Sequence, residues 1–243
     1  MILHGWQLFK SLVFVILIYS GMAVLGLVFA PFALFSREPA FMACKSFCAW
    51  TRFLAKWMLG LRTEVRGQVP EGEVLIAAKH QSFLDILLIF QALPRGKFIM
   101  KRELLWTPVI GLYAKRVGCI PVNRGKRGTA IAKMVRDVAA EFSDPGQLVI
   151  YPQGTRVAPG VKVPYKAGTG VLYDALKEPC YPVATNVGLF WPKKGLLRKP
   201  GLAVVEFLEP IGPGMERAAF MVELEQRIEE RSDALMREGG FSG

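Results

Sequence analysis

The chain has 243 residues, 52% of them hydrophobic, and carries 31 Lys and Arg against 20 Asp and Glu, a net charge of +11. Its 16 Phe and 5 Trp exclude a disordered chain, which is polar and poor in aromatics. Only four Cys, with Cys44 and Cys48 one helical turn apart, exclude a disulfide scaffold, and two His at positions 4 and 80 leave a structural zinc site without its ligand pattern. The Cys usage fits a reducing compartment.

In chain order, the first 36 residues hold one charge, Lys10, and Ser11–Ser36 is an uncharged run of 26 residues. The part before Pro31 makes about 30 Å of helix, which matches a bilayer core. A cleaved signal peptide would have a more basic start and a shorter apolar region, and a core helix of this length is rarely apolar all round. A membrane helix is therefore the expectation. In Pro39–Gly60 the basic residues Lys45, Arg52 and Lys56 fall within about 40° of one another on a helix, opposite Phe47, Trp50, Leu54, Trp57 and Met58. That pattern fits a helix lying in the membrane interface, and equally an amphipathic helix covering a core. Basic residues follow the first segment more than they precede it, which predicts a cytoplasmic body. The organisation read from this is a membrane-associated helical segment over residues 1–60 and one domain over 61–243.

From Leu61 onward, strand-like runs alternate with helical ones. Strands are expected at Arg62–Arg66, Val74–Ala78, Lys97–Met100, Cys119–Val122, Leu148–Tyr151, Val183–Asn186 and Ala203–Leu208. Helices are expected at Ser82–Leu93, Glu103–Arg116 with a break at Pro108, Thr129–Phe142, Gly170–Lys177 and Glu216–Glu238. Alternation of this kind predicts an α/β domain: a mixed central sheet flanked by helices. Lys193–Pro200 is a basic loop. The net charge of +10 on residues 37–243 suits anionic lipid, phosphate or coenzyme A. Nucleic acid is disfavoured as a partner, because no zinc-finger, RNP-like or recognition-helix pattern accompanies the charge.

Three segments carry chemistry. In Val74–Asp85 a buried strand ends at Lys79-His80-Gln81-Ser82, and Asp85 follows five residues after His80, inside a helix. His80 can take a proton near neutral pH and Asp85 can fix its tautomer, provided His80 lies on the turn and Asp85 on the helix. A structural His at a helix cap fits the same spacing. In Leu148–Arg156 a strand runs into Pro152-Gln153-Gly154-Thr155-Arg156, where Gly154 permits close approach and Arg156 offers a planar fork for phosphate. In Gly118–Gly125 another strand is followed by Arg124. No Walker A loop, dinucleotide fingerprint or nucleophile elbow is present.

Together these segments resemble the glycerolipid acyltransferase family, most closely its 1-acylglycerol-3-phosphate acyltransferases. The family's Asn-His-Gln-Ser-x-x-Asp block looks like Lys79–Asp85, its Lys-x-Glu-Leu step like Lys101-Arg102-Glu103-Leu104, its second block like Gly118–Arg124, its Pro-Glu-Gly-Thr-Arg block like Pro152–Arg156, and its fourth like Tyr181-Pro182-Val183-Ala184. The four blocks come in family order. Lys79, Pro121, Asn123 and Gln153 depart from the family pattern, Gln153 by exchanging a carboxylate for an amide.

The resemblance implies transfer of a fatty acyl group from acyl-CoA or acyl-carrier protein to the hydroxyl of lysophosphatidate or a related lyso-lipid. It implies His80 as general base, oriented by Asp85, and a substrate-binding set of Lys101, Arg124, Gln153, Gly154, Thr155, Arg156 and Pro182. Arg124 and Arg156 would hold phosphate, Gln153 and Gly154 would shape the glycerol pocket, and Pro182 would help form an acyl channel. It implies no metal and no bound cofactor, with membrane lipids as partners and the body on the cytoplasmic side. Alternatives are a same-fold enzyme using another acceptor, such as lyso-ornithine lipid or a lysophospholipid, and a catalytically weakened lipid-binding protein.

Overall fold

In the computed structural model, which describes residues 2–123, 133–138 and 146–242, two long helices precede the sheet. Helix α1 spans Ile2–Phe35 and α2 spans Glu38–Leu59. Pro31 removes one N–H donor near the end of α1 without stopping it, so the helix outruns the proline to Phe35. The second helix ends at Gly60, whose φ of 68° is left-handed and whose N–H closes on the Ala55 carbonyl.

The two helices run antiparallel. Gln7 Nε2 donates to the Leu59 carbonyl (3.4 Å), and Trp50 Nε1 donates to the Leu17 carbonyl (3.4 Å). Their inner faces join the main core: Phe14, Ile18, Phe41, Leu54 and Leu59 pack with Leu84, Leu88, Val149 and Val205. Burying each such side chain is worth about 1.5–3 kcal/mol. The apolar segment therefore shares one core with the body.

Contact with the body follows α1 along nearly its whole length. Gln7 Nε2 donates to the Arg198 carbonyl (2.8 Å), Phe14 meets Trp191 edge-on with centroids 5.3 Å apart, Tyr113 Oη donates to the Gly26 carbonyl (2.7 Å) and Arg116 Nη2 to the Leu34 carbonyl (3.1 Å). The opposite face exposes Trp6, Phe9, Leu12, Ile16, Leu27, Phe32 and Phe35. On α2 the outward stripe is Trp50, Phe53 and Trp57, with Lys56 over the Trp57 ring at 5.4 Å. The expected basic stripe does not face outward as a unit. Arg52 turns inward, donating from Nε to Thr63 Oγ1 (2.8 Å) and from Nη1 to Gln91 Oε1 (2.9 Å), and Leu54 is buried. Two side-chain acceptors within reach outweigh a place at the surface.

The described residues form seven strands: β1 Leu61–Arg66, β2 Val74–Ala78, β3 Gly96–Lys101, β4 Ile120–Val122, β5 Gln147–Ile150, β6 Cys180–Thr185 and β7 Gly201–Phe207. They make one sheet in the order β1-β7-β6-β2-β5-β3-β4, in which only β6 and β7 pair antiparallel. Helix α3 spans Leu84–Ala92, α4 Ile110–Arg116, α5 Gly168–Leu176 and α6 Arg217–Glu238. The helical pattern over 103–116 divides into a 3-10 turn at Arg102–Trp106 and α4, because Thr107, ahead of Pro108, is extended with ψ 122°. Residues 133–138 are helical, and the remainder of the helix expected over 129–142 lies outside the described residues.

Strand alternation sorts the core into two layers. Ile76 and Ala78 pack with Val183 on the side of α1, α2 and α3, whereas Leu75 and Ala77 pack with Leu148, Leu172, Phe220, Leu224 and Ile228 on the side of α5 and α6. Ligand sites of parallel sheets lie beyond the carboxyl ends of the strands. Here that edge is where β2, β3 and β5 run out into Lys79–Ser82, Lys101 and Tyr151–Arg156.

Candidate active site

His80 stands two residues past β2, on the turn before α3, and Asp85 is the second residue of that helix. This is the placement that lets an i, i+5 pair meet. His80 Nδ1 lies 2.9 Å from Asp85 Oδ1, and the carboxylate is fully buried. Asp85 Oδ2 accepts the backbone N–H groups of Gln81 (2.8 Å) and Ser82 (2.7 Å). With Nδ1–H donating to the carboxylate, Nε2 remains as the imidazole's acceptor. Ser82 Oγ accepts the Leu84 N–H (3.1 Å), so this serine caps the helix.

Further contacts fix the block. The His80 ring stacks on Tyr151 with centroids 3.9 Å apart and planes 19° from parallel. Burial, then the charge of Asp85, push the Tyr151 phenol well above its ordinary range, and its hydroxyl has no hydrogen-bond partner among the described residues. Gln81 Oε1 accepts the Gly188 N–H (2.9 Å), tying the turn to the segment after β6.

Lys79 takes the opposite side of the chain. Its ammonium pairs with Glu229 on α6, and Tyr165 Oη donates to the same carboxylate at 2.9 Å. This departure from the family block thus serves the α6 layer and leaves His80 undisturbed, as the strand's period of two dictates.

The loop after β5 closes over His80 from both directions. Gln153 Oε1 accepts the His80 N–H (3.4 Å), and Val157 N–H donates to the His80 carbonyl (2.7 Å). Gln153 is buried, and its Nε2 has no partner among the described residues. Gly154 takes φ 66°, and a Cβ there would collide with the Lys166 side chain. Thr155 is exposed, while Arg156 is half-buried with no ion pair among the described residues. Lys193 crosses from the basic loop to donate to the Arg156 carbonyl (2.9 Å) and, at 3.4 Å, to Thr155 Oγ1. Lys166 and Lys193 were not singled out from the sequence. Only the basic run at Lys193–Pro200 hinted at the second, and nothing placed either beside Gly154.

The other expected binding residues divide. Lys101 ends β3 at the same sheet edge, 3.4 Å from Glu103. Arg124 lies outside the described residues; Asn123, just before it, leaves β4 at this edge. Pro182 is not brought to His80. It is a mid-strand residue of β6 opposite Ala77, and strand alternation sets it with Cys180 on the α5 and α6 side of the sheet. The strand begins at Cys180, three residues earlier than expected, so Pro182 lies inside it.

This edge offers a base with a free nitrogen, a buried carboxylate holding it, and cations that have no carboxylate partner among the described residues around a glycine turn. The Acyltransferase family model matches residues 62–186, which contain both blocks. The 1-acyl-sn-glycerol-3-phosphate acyltransferase of Pseudomonas aeruginosa is 28% identical over 232 residues, covering 92% of this chain and 88% of that protein. The human alpha enzyme of the same name is 32% identical over 161 residues, 64% of this chain and 57% of its own length. The crystal structure of the 1-acyl-sn-glycerophosphate (LPA) acyltransferase PlsC from Thermotoga maritima superimposes with a TM-score of 0.79 over 96% of this chain and 98% of that one; at 18% identity the likeness is one of fold. The chain belongs to the Acyltransferase family and is an acyltransferase.

Proposed function

We propose that the enzyme transfers a fatty acyl group from an acyl thioester to the free hydroxyl of 1-acylglycerol 3-phosphate, making phosphatidate. The observation that carries this is the His80–Asp85 couple, 2.9 Å apart, held against the loop that bears Arg156. His80 Nε2 takes the proton of the acceptor hydroxyl as its oxygen attacks the thioester carbonyl. The tetrahedral intermediate then expels the thiolate, the carbon–sulfur bond breaks, and the imidazolium returns the proton to sulfur. Asp85 stabilises the imidazolium in between. Atoms balance with the acyl thioester as co-substrate, either acyl-CoA or acyl-carrier protein, and no metal or bound cofactor enters the scheme. Arg156, with Lys166, Lys193 and Lys101, provides cations for the acceptor's phosphate.

The helical hairpin suits a lipid acceptor. A helix that meets the body from Gln7 to Leu34 cannot cross a bilayer while the body stays on one side, so α1 and α2 lie within one leaflet and present their exposed apolar faces to it. The body then sits on the cytoplasmic side, as the charge distribution predicts. The test is thiol release from acyl-CoA and from acyl-carrier protein against a panel of lyso-acceptors. Turnover is expected to be highest with lysophosphatidate; a preference for a phosphate-free acceptor would overturn the reading.

A further inference from the structure

Among the described residues Arg198 is the one arginine with a buried side chain, 8% exposed, and it has no carboxylate partner. Other arginines differ: Arg66 pairs with Glu64 and Glu238, Arg217 with Asp174, and Arg231 with Glu206. The Arg198 guanidinium stacks on Trp191 with its carbon 4.7 Å from the ring centre. Its Nη1 donates to the Gly195 carbonyl (2.9 Å) and the Leu197 carbonyl (3.3 Å). Its Nε is buried with no partner, and its Nη2 donates to nothing among the described residues.

These two nitrogens are not arbitrary leftovers. Nε–H and Nη2–H point the same way and form the side-on fork that grips an oxyanion with two parallel bonds. The protein has filled the other end of the guanidinium and covered one face, and the fork is left without an acceptor among the described residues. Isolating a charge from water without a counter-ion is expensive, and burial accordingly lowers the Arg198 pKa to about 10. Among the described residues, the ionisable group that acts on it electrostatically is the phenol of Tyr19, on α1.

Position completes the argument. The Arg198 N–H donates to Ser11 Oγ (3.0 Å), and its carbonyl accepts from Gln7 Nε2 (2.8 Å), so the residue is pinned to α1 between that helix and the basic loop. Trp6 and Phe9, which flank Gln7 in the sequence on α1, stack 5.6 Å apart and are both exposed. Lys193, at the loop's other end, holds the turn at Arg156. The loop thus joins the reaction edge to the helix that faces lipid.

We propose that Arg198 is a second phosphate site, outside the reacting centre, whose unpartnered fork takes the phosphate of a glycerophospholipid at the membrane surface. The site rests on the in-leaflet reading of α1 and α2. It is occupied while the enzyme sits on a bilayer and fixes the depth and tilt of the hairpin relative to the headgroups.

The full chain, Arg198→Gln and Arg198→Lys are compared by cosedimentation with phosphatidylcholine vesicles and with the same vesicles containing phosphatidylglycerol. Wild type is expected to bind both and to gain affinity from phosphatidylglycerol. Arg198→Gln should lose about tenfold of that gain, the scale of one charge-assisted bidentate contact, with neutral binding unchanged. Arg198→Lys keeps the charge but lacks the fork, and should fall with Arg198→Gln. Native mass spectrometry of detergent-extracted protein identifies the source: a retained diacyl phospholipid points to the leaflet, a retained lysophosphatidate to the acceptor, and either should be lost in both variants. Equal gains from phosphatidylglycerol in wild type and both variants, with no lipid difference, would overturn the site and leave Arg198 as a pin for its loop. Wild type that binds no vesicle would overturn the in-leaflet reading and this site with it.

Discussion

Two halves of one sheet edge are built on opposite plans. Around His80 nearly every polar group is answered from within the protein: Asp85 takes the ring and two backbone donors, Gln81 takes Gly188, and the His80 peptide is bonded on both sides. A few residues on, Arg156, Lys166 and Lys193 gather around Gly154, and no carboxylate pairs with them among the described residues. The first half is bonded throughout without a ligand. The second holds cations without a counter-charge among the described residues, as the proposed phosphate site requires. Chemistry is preorganised and binding is left open, so substitutions in the two halves should fail differently, the first in turnover and the second in affinity.

The strongest way to break that contrast is His80→Ala. A general base contributes about 10²–10⁴-fold in rate, so kcat should fall by that factor with KM for lysophosphatidate little changed and circular dichroism intact. Asp85→Asn should also lose most of the rate, because Asn cannot accept from the ring and from two N–H groups while stabilising an imidazolium. Turnover above half of wild type in either variant would remove the couple from the mechanism.

A second test uses the layer beneath. Lys79 and Glu229 are a buried ion pair, 3% and 15% exposed. Removing one partner of such a pair costs about 3–5 kcal/mol, whereas replacing both with apolar residues is often neutral. Glu229→Leu should lower stability by that amount in denaturant titration, and adding Lys79→Met should restore most of it. If both variants instead lose kcat with stability intact, Lys79 belongs to the reacting half and the division fails.

How far the two plans were legible in the chain depends on distance along it. The His80–Asp85 contact was readable because its parts are local: five residues from His80 to Asp85, with a strand-to-helix turn between them. All seven strands were readable for the same reason, since each is a short apolar run between turn signals. What escaped came from long-range packing. Lys166 and Lys193 reach Gly154 from loops far along the chain, and no spacing rule links them. Arg52 looked like part of a surface stripe until Thr63 and Gln91 gave it acceptors below. Pro182 was assigned to a channel by the family resemblance alone, and its alternation with Cys180 in β6, opposite Ala77, sets it on the α5 and α6 side of the sheet.

The affinity half is sharpened by Arg156→Ala. Loss of one charge-assisted phosphate contact, about 1.5–3 kcal/mol, predicts a rise in acceptor KM on the order of tenfold or more with kcat nearly retained. Lys193→Ala should give a smaller rise, because its ammonium is partly committed to the Arg156 carbonyl. Both effects should shrink on a phosphate-free lyso-acceptor. An equal loss on the two acceptors would mean these side chains hold the loop rather than the ligand.

The smallest expected effect separates ring from hydroxyl at Tyr151. The ring stacks on His80 at 3.9 Å and restricts how the imidazole can rotate, and an aromatic face favours the imidazolium that forms during transfer. The hydroxyl is buried beside Asp85 with no hydrogen bond of ordinary geometry among the described residues, so desolvation outweighs whatever it gains from the carboxylate. Removing an unsatisfied polar group can be neutral or stabilising. Tyr151→Phe should therefore keep turnover within about twofold and leave stability equal or slightly raised, while Tyr151→Leu, which removes the aromatic face, should lower kcat several-fold without changing acceptor KM. Thermal unfolding and steady-state kinetics on the two variants decide it. A Tyr151→Phe enzyme with a large loss of kcat would mean that the hydroxyl bonds Asp85 or the substrate during the reaction, and that the reacting half is less complete before substrate binds than its resting geometry implies.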